Sequence, residues 1–203
     1  MPKPVLADIP GLREAFPDED ACRWWLQTLR WPDGVVCPRC EETKRISFIK
    51  TRKKFHCHTC RYQFSVTAGT VFHNSHLPLS KWFLAIYLMV SREKGLSANE
   101  LHQILGGSYK TSWYLEHRIR AALAAPTAFS VVEQAPDMHT GEVWEKLEES
   151  IGETYHQLSL KHLPMYWSEM EWRALNAENP FIFRDTVLAL VRGEAVPYDE
   201  LTS

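Results

Sequence analysis

The spacing of apolar residues near the start of the chain predicts a helix. Residues three or four positions apart form one apolar face: Cys22, Trp25, Leu26 and Leu29. The acidic run 18–20 suits the positive end of the helix dipole, and the turn-forming run 31–34 ends the helix. We interpret residues 1–34 as an N-terminal helical lead-in that covers the segment after it.

Between residues 35 and 66 the apolar positions form short runs that are typical of small strands. The residues concerned are Ile46, Phe48, Ile49, Phe55, Tyr62, Phe64 and Val66. The basic run 50–54 separates the first three from the others and predicts the turn of a hairpin. Residues 35–66 are therefore predicted to form a small ribbon, followed by a connector over 67–77.

Residues 78–125 carry the pattern of a helix-turn-helix. The stretch 82–90 is apolar nearly all round, which predicts a buried helix. A Ser-x-x-Glu capping box at 97–100 precedes a second, short helix. A glycine pair at 106–107 makes a tight turn into a third helix, which Ser108 caps. An ordinary helical hairpin in an unrelated core remains the alternative.

In a helix-turn-helix the second helix of the motif enters the DNA major groove by its N-terminal residues. The residues so predicted to contact DNA are Tyr109, Lys110, Thr111, Ser112 and Tyr114. Lys110 can hydrogen-bond guanine O6 and N7. We expect Arg118 and Arg120 to contact phosphates and Trp113 to lie in the core. The basic side chains predicted to join this surface from the ribbon are Arg52, Lys53 and Lys54.

Beyond residue 125 the chain becomes acidic, and its apolar pattern predicts helices but no strands. We interpret 126–203 as an acidic helical tail, with helices over 142–149, 163–175 and 181–191. No alternating strand pattern of useful length occurs there. The predicted fold class is therefore a small α+β protein: a ribbon, a helix-turn-helix and an irregular helical tail.

The net charge of −2 conceals an uneven distribution of charge along the chain. Residues 37–64 carry eight Lys and Arg against two Asp and Glu, whereas residues 126–203 carry five against fourteen. The basic part predicts a polyanionic partner. No apolar run has transmembrane length and no secretory signal is present, so we expect no membrane partner and a location in the bacterial cytoplasm, associated with the nucleoid.

Two C-x-x-C pairs, 37–40 and 57–60, carry the strongest chemical signal in the chain. Four cysteines at this spacing are typical of a zinc ribbon, in which the thiolates of Cys37, Cys40, Cys57 and Cys60 hold structural Zn²⁺. A pair of disulfides and a rubredoxin-type iron site use the same residues and remain alternatives. His56 and His58 could replace a cysteine ligand, whereas His73 and His76 are expected at the surface.

These motifs together resemble the transposases of the IS1595 and ISXO2 insertion-sequence group. The segments that carry the resemblance are Phe16–Glu19, Leu29–Cys40, Gln63–Thr70, Leu77–Phe83, Ser108–Thr111 and His117–Arg120. The resemblance implies a zinc ribbon and a helix-turn-helix that bind the terminal inverted repeats of the element. Some positions depart from the family pattern: Glu41 and Arg61 stand where glycine often follows each cysteine pair, Gly107 and Glu116 where apolar residues are usual, and Tyr114 where a basic residue is typical.

Members of this group also carry a ribonuclease-H-like domain whose acidic residues hold two catalytic metal ions. Only 78 residues follow Ala125, and they lack the strands that such a domain needs. Segments that resemble the family's C-terminal end are nevertheless present: 154–159, 161–163 and 172–176. We interpret the chain as an internally deleted transposase that binds DNA without strand transfer, with Glu142 as a weak candidate for the third acidic position.

Two alternative functions remain open. One is an active DDE-type transposase that uses Mg²⁺, with Asp137, Glu142 and Glu145 as metal ligands. The other is a zinc-dependent transcription regulator whose acidic tail contacts a partner protein. Double-stranded DNA is the expected partner, and full-length transposase or a second copy of the chain are further candidates.

Overall fold

The computed structural model describes residues 9–92, 95–125 and 161–194, together with residues 145, 149, 154 and 201. In chain order the elements are α1 (Ile9–Ala15), α2 (Glu19–Arg30), β1 (Ile46–Ile49), β2 (Lys54–Cys57), β3 (Gln63–Phe64), α3 (Leu79–Ser91), α4 (Ala98–Leu105), α5 (Tyr109–Ala124), α6 (Leu163–Leu175) and α7 (Ile182–Arg192). A three-stranded sheet thus lies among helices, which confirms the predicted α+β fold class.

Helix α2 begins and ends where the sequence predicts. The Asp18 carboxylate accepts a hydrogen bond from the Ala21 backbone N–H at 2.8 Å and so caps the helix. Cys22 and Leu26 are fully buried on its apolar face. At the other end, the Arg30 guanidinium donates hydrogen bonds at 2.6 Å to two backbone carbonyls just after β3, which fastens α2 to the ribbon.

The sheet is antiparallel with strand order β1-β2-β3. Ile49 pairs with Lys54, so the basic run lies at the turn between β1 and β2, as predicted. Phe55 and Phe64 pair across β2 and β3 and form a small core with two of the cysteines. Trp31 packs its ring edge against both phenylalanines and connects this core to the helices.

Helices α3, α4 and α5 have the predicted order, caps and turn. The Ser97 hydroxyl accepts from the Glu100 backbone N–H, and the Glu100 carboxylate accepts from the Ser97 N–H at 3.0 Å, so the capping box is present. Gly106 and Gly107 have φ of +68° and +88°, a region that side chains disfavour. The Ser108 hydroxyl then caps α5.

The C-terminal helices α6 and α7 pack on the preceding ones rather than lying apart from them. Helix α6 contacts α5, and α7 contacts α2, α3 and α5. Phe183 of α7 stacks on Trp25 at 5.5 Å and meets Phe16 and Phe83 edge-on or tilted. One hydrophobic core therefore joins the seven helices that the structure describes, while the ribbon strands keep the separate small core described above.

The structure describes two of the three helices predicted after residue 125 and only two residues of the third. Helix α6 has the predicted bounds, and α7 lies within one residue of them. Of the predicted acidic helix over 142–149, only Glu145 and Glu149 are described, and both are helical and exposed. No described helix combines the length and the apolar character that crossing a membrane requires.

Candidate metal centre and nucleic-acid interface

The four predicted zinc ligands meet at one end of the sheet. The Sγ atoms of Cys37, Cys40, Cys57 and Cys60 all lie within 4.8 Å of one another, and the Cys37–Cys60 and Cys40–Cys57 pairs are 3.6 Å apart. Zn–S bonds of about 2.3 Å in a tetrahedron place sulfur atoms about 3.8 Å apart. The residues present therefore fit a zinc ion. Within the described ranges, no other group of three or more His, Cys, Asp or Glu side chains is close enough to hold a metal ion.

Each cysteine pair sits on a tight backbone turn of the same shape. Glu41 and Arg61, the residues directly after the two pairs, both have φ of +60°. The Cys37 N–H donates to the Glu42 carbonyl and the Cys57 N–H to the Tyr62 carbonyl, each at 2.9 Å. The positive φ explains why glycine is usual at these positions, because non-glycine residues adopt this conformation at a cost.

Hydrogen bonding favours the thiolate at one of the four cysteines and the thiol at another. At Cys40 the backbone N–H of Glu42 lowers the pKa of the thiol, but hydrogen bonds with the neighbouring sulfur atoms and burial together raise it to about 12. The backbone N–H of Cys60 is the main influence on Cys57, and together with that of Thr59 it outweighs burial and lowers the pKa of the Cys57 thiol to about 7. Zn²⁺ binds thiolates, so this environment suits a metal ligand. The side chains of His56 and His58 lie outside the four-sulfur cluster, and the His58 Nε2 instead lies 3.0 Å from the Ser47 hydroxyl.

Glu42 connects the two halves of the centre. Its Oε2 accepts a hydrogen bond from the Thr59 hydroxyl at 2.6 Å, across from one cysteine turn to the other. Its Oε1 accepts backbone N–H bonds from the three residues 43–45. These bonds, that of Thr59 first, lower the pKa of the Glu42 carboxyl to about 2. No local pattern in the sequence predicts this role, because it depends on Thr59, seventeen positions away.

The basic turn between β1 and β2 carries the ribbon residues that were predicted to bind DNA. Arg52, Lys53 and Lys54 are all exposed. The Lys53 ammonium forms an ion pair with Asp20 of α2 at 2.8 Å, and Arg52 lies 3.5 Å from the amide oxygen of Gln63. The predicted DNA-binding residues of the ribbon are therefore together at one surface.

Only part of the predicted recognition surface on α5 faces solvent. Tyr109, Lys110 and Thr111 are exposed in its first turn, and Tyr109 retains 52% of its accessible surface. Ser112 is buried, and Tyr114 is half-buried beneath the Arg118 guanidinium at 5.3 Å. The first turn of α5 is thus the part that can contact another molecule.

Residues 17–63 match the family model described as the transposase zinc-ribbon domain. Over these residues the chain is similar to a transposase zinc ribbon. It is also 35% identical over 103 residues to an uncharacterized protein in transposable element ISH50 of Halobacterium salinarum. That match covers 50% of this chain and 34% of the relative, so the chain spans about a third of the relative's length. No solved structure gives a significant match.

The two arginines predicted to contact phosphates are buried and do not lie on the exposed first turn of α5. Arg118 is 3% exposed and donates hydrogen bonds to the backbone carbonyls of Val71 and His73, the latter at 2.9 Å. Its guanidinium also lies over the Trp82 ring at 5.4 Å. These contacts fasten α5 to the connector and are at odds with the predicted phosphate contact.

Arg120 is fully buried and holds α5 to α6. It pairs with Glu116 at 2.7 Å and with Glu169 at 2.5 Å, and its guanidinium lies 3.8 Å from the centre of the Tyr166 ring. Burial raises the pKa of the Glu116 carboxyl to about 7 despite Arg120. The sequence contains one signal for this network: Glu116 stands where an apolar residue is usual, and it lies one helical turn before Arg120.

Trp113 is half-buried rather than enclosed in the core. It stacks on His117 at 3.9 Å between ring centres, and His162 packs edge-on against both. Burial is the main reason that the pKa of His117 falls to about 3, so this imidazole is neutral. The cluster is a neutral aromatic contact between α5 and the start of α6.

Of the three carboxylates that would bind metal ions in an active transposase, the structure describes only one. Asp137 and Glu142 lie outside the described residues. Glu145 is helical and its side chain is exposed.

The predicted DNA contacts remain predictions. The exposed residues among them lie in the first turn of α5 and in the ribbon's basic turn.

Proposed function

We propose that this transposase-family protein binds double-stranded DNA at the terminal inverted repeats of an insertion sequence and does not itself catalyse strand transfer. The observation that carries the proposal is the combination of a four-cysteine transposase ribbon with a capped α5 whose first turn is exposed after a tight glycine turn. Helix, turn and exposed N-terminal turn are the parts with which a helix-turn-helix reads the major groove.

The exposed side chains supply chemistry suited to DNA. Lys110 offers ammonium donors for guanine O6 and N7, and the hydroxyls of Tyr109 and Thr111 can bond bases or phosphates. The ribbon's basic turn supplies positive charge for the sugar-phosphate backbone. Phosphate contacts release counterions, so affinity should fall steeply as salt concentration rises.

The proposed lack of strand transfer rests on the sequence of 126–203, which has no alternating strand pattern of useful length. In ranges 9–92, 95–125 and 161–194, no group of three or more carboxylates is close enough to hold a metal ion, and the candidates Asp137 and Glu142 lie outside these ranges. Two-metal chemistry requires several carboxylates around one site. The segment over 172–176, which resembles the C-terminal part of the family, lies at the end of α6, and α6 packs directly on α5. Such a protein would occupy transposon ends and compete with the full-length enzyme.

A binding assay tests this proposal. The probe is a labelled 30-bp duplex taken from the inverted repeat that flanks the gene, compared with a scrambled duplex at 50 and 200 mM salt. We expect preference for the repeat and a marked loss of affinity at the higher salt. Lys110→Ala should weaken binding to the repeat by roughly tenfold or more, as loss of a base contact does. Lys161→Ala, an exposed lysine at the start of α6, is the matched control.

Two results would overturn the proposal. Equal affinity for both duplexes, or no binding at either salt concentration, would remove inverted-repeat recognition. Nicking of the repeat duplex in Mg²⁺ or Mn²⁺ would instead show an active transposase. A catalytic reading would then require Asp137→Ala, Glu142→Ala or Glu145→Ala to abolish the nicking.

A further inference from the structure

The ribbon's basic turn is anchored to the start of α2. Lys53 reaches Asp20 at 2.8 Å, and the neighbouring Arg23 also binds Asp20. The hydrogen bond from Lys53 is the first reason that the pKa of the Asp20 carboxyl lies below its usual value. A groove of about 210 Å³ lies beside this contact, lined by the basic turn, by α2 and by the start of α3. The turn therefore lies against the helical body.

The start of α2 is in turn fastened to the start of α3. The two carboxylate oxygens of Glu19 accept hydrogen bonds from the backbone N–H groups of Leu79 and Ser80, at 2.9 and 3.2 Å. The N-cap residue of α3 is Pro78, which has no side-chain hydrogen-bonding group, so Glu19 supplies the cap from another helix. Adjacent residues of α2 thus contact the ribbon and α3.

The first turn of α3 also holds the end of α4. The Lys81 ammonium donates to the Leu105 carbonyl at 2.7 Å. Leu105 is the last residue of α4 and directly precedes the glycine turn into α5. A cation at this position satisfies a carbonyl that the helix end leaves unpaired. The basic turn of the ribbon and the exposed first turn of α5 are therefore both connected to one turn of α3.

From this chain of contacts we infer that Asp20, Glu19 and Lys81 are positioning residues for a two-part DNA surface. They hold the ribbon's basic turn and the first turn of α5 at a fixed separation, so that both bind one duplex. The inference rests on the proposed function. It adds that the two elements bind DNA together in one fixed arrangement and not as independent modules. A fixed separation makes binding depend on the spacing of the two contacted DNA segments.

The first test asks whether there are two contacts at a fixed spacing. A duplex is selected from a randomised 30-bp pool with the full chain loaded with zinc, and its hydroxyl-radical footprint is recorded. We expect two protected patches. Arg52→Gln/Lys54→Gln should remove one patch and Lys110→Ala the other. Inserting 5 bp between the patches rotates one by half a turn and should lower affinity by about tenfold or more, because both elements can no longer bind together.

The second test separates positioning from charge. Asp20→Ala breaks the anchor of the ribbon's turn, and we expect it to lower affinity for the uninserted duplex, so that the loss caused by the 5-bp insertion becomes smaller, because a turn that is not held in place contributes less to joint binding. Asp33→Ala removes the same charge from an exposed position in the turn after α2 and should keep the full loss. An effect of net charge alone would raise affinity equally for both duplexes and both variants.

The possible failures point to different conclusions. Selection that enriches no duplex overturns the proposed function, and this inference with it. A single patch that only Lys110→Ala removes leaves the proposed function in place but overturns the two-part surface. Two patches with no sensitivity to the insertion show independent modules. Equal behaviour of Asp20→Ala and Asp33→Ala shows that the anchor does not position the ribbon.

Discussion

Arg120 of α5 and Glu169 of α6 form an ion pair in which neither side chain retains more than 1% of its accessible surface. Glu116 contacts the same guanidinium at 2.7 Å, and Arg173 lies 3.5 Å from the other Glu169 oxygen. Buried charges of this kind are tolerable only with their partners in place. Helix α5, which carries the proposed DNA contacts, therefore depends on α6 to pair the buried charge of Arg120.

Replacing Glu169 should destabilise the whole chain. Glu169→Ala leaves the Arg120 charge buried with one carboxylate fewer, and removal of one partner of a buried pair costs about 3–5 kcal/mol. We expect that loss in the free energy of unfolding, measured by urea denaturation. Glu171→Ala, two residues along the same helix and only partly buried, should cost less than about 1 kcal/mol. Equal losses in the two variants would mean that the pair contributes nothing specific.

Glu116 should give the stability a characteristic pH dependence. Because burial raises its folded-state pKa from 4.5 to about 7, the folded chain binds a proton that the unfolded chain has released between these pH values. Stability from this group is therefore present below pH 4.5 and falls as the pH rises to 7, by about 3 kcal/mol.

The measurement is the difference in unfolding free energy between wild type and Glu116→Gln from pH 5 to 8. Taking the difference cancels the pH dependence of zinc binding, which both proteins share. We expect the wild type to lose stability relative to Glu116→Gln as the pH rises. A constant difference would show that Arg120 keeps Glu116 ionised throughout.

Local signals explain what the sequence predicts correctly. The Asp18 and Ser108 caps, the capping box at 97–100 and the basic run between two apolar runs each act within a few residues. Their positions therefore fix helix starts and the hairpin turn without knowledge of the rest of the fold. The four cysteines are similar, because their spacing alone predicts two turns that bring the four sulfur atoms together.

Contacts between distant segments explain what the sequence does not predict. An arginine on a helix of a DNA-binding motif is equally consistent with a phosphate contact or a buried ion pair. Arg120 forms the buried ion pair because of Glu169, which lies 49 positions away. The acidic composition of that part of the chain had suggested a separate tail. Arg118 is similar, since its carbonyl partners belong to the connector. The anchor between Asp20 and Lys53 spans 33 positions and has no local pattern.

Zinc content tests the metal centre directly. The purified wild-type chain should contain one zinc ion, and Cys57→Ser should lose it and unfold at a lower temperature, because metal binding contributes to folding of so small a ribbon. Cys22→Ser is the control, since Cys22 is buried on α2 away from the cluster, and it should keep one zinc ion. Iron in the wild type, or two disulfides and no metal, would contradict a zinc site.

Glycine at either cysteine turn should stabilise the ribbon. Glu41 and Arg61 both hold φ of +60°, and a left-handed conformation costs a non-glycine residue about 1–2 kcal/mol. Part of that gain is offset because glycine has more freedom in the unfolded chain, so we expect Glu41→Gly to raise the unfolding free energy by roughly 0.5–1 kcal/mol. Glu41→Ala removes the same side chain but keeps a Cβ, and should give no gain. Urea denaturation of the zinc-loaded protein measures both. Equal stability of the glycine and alanine variants would show that the turn carries no backbone strain, whereas a matching gain in Arg61→Gly would show that both turns carry it.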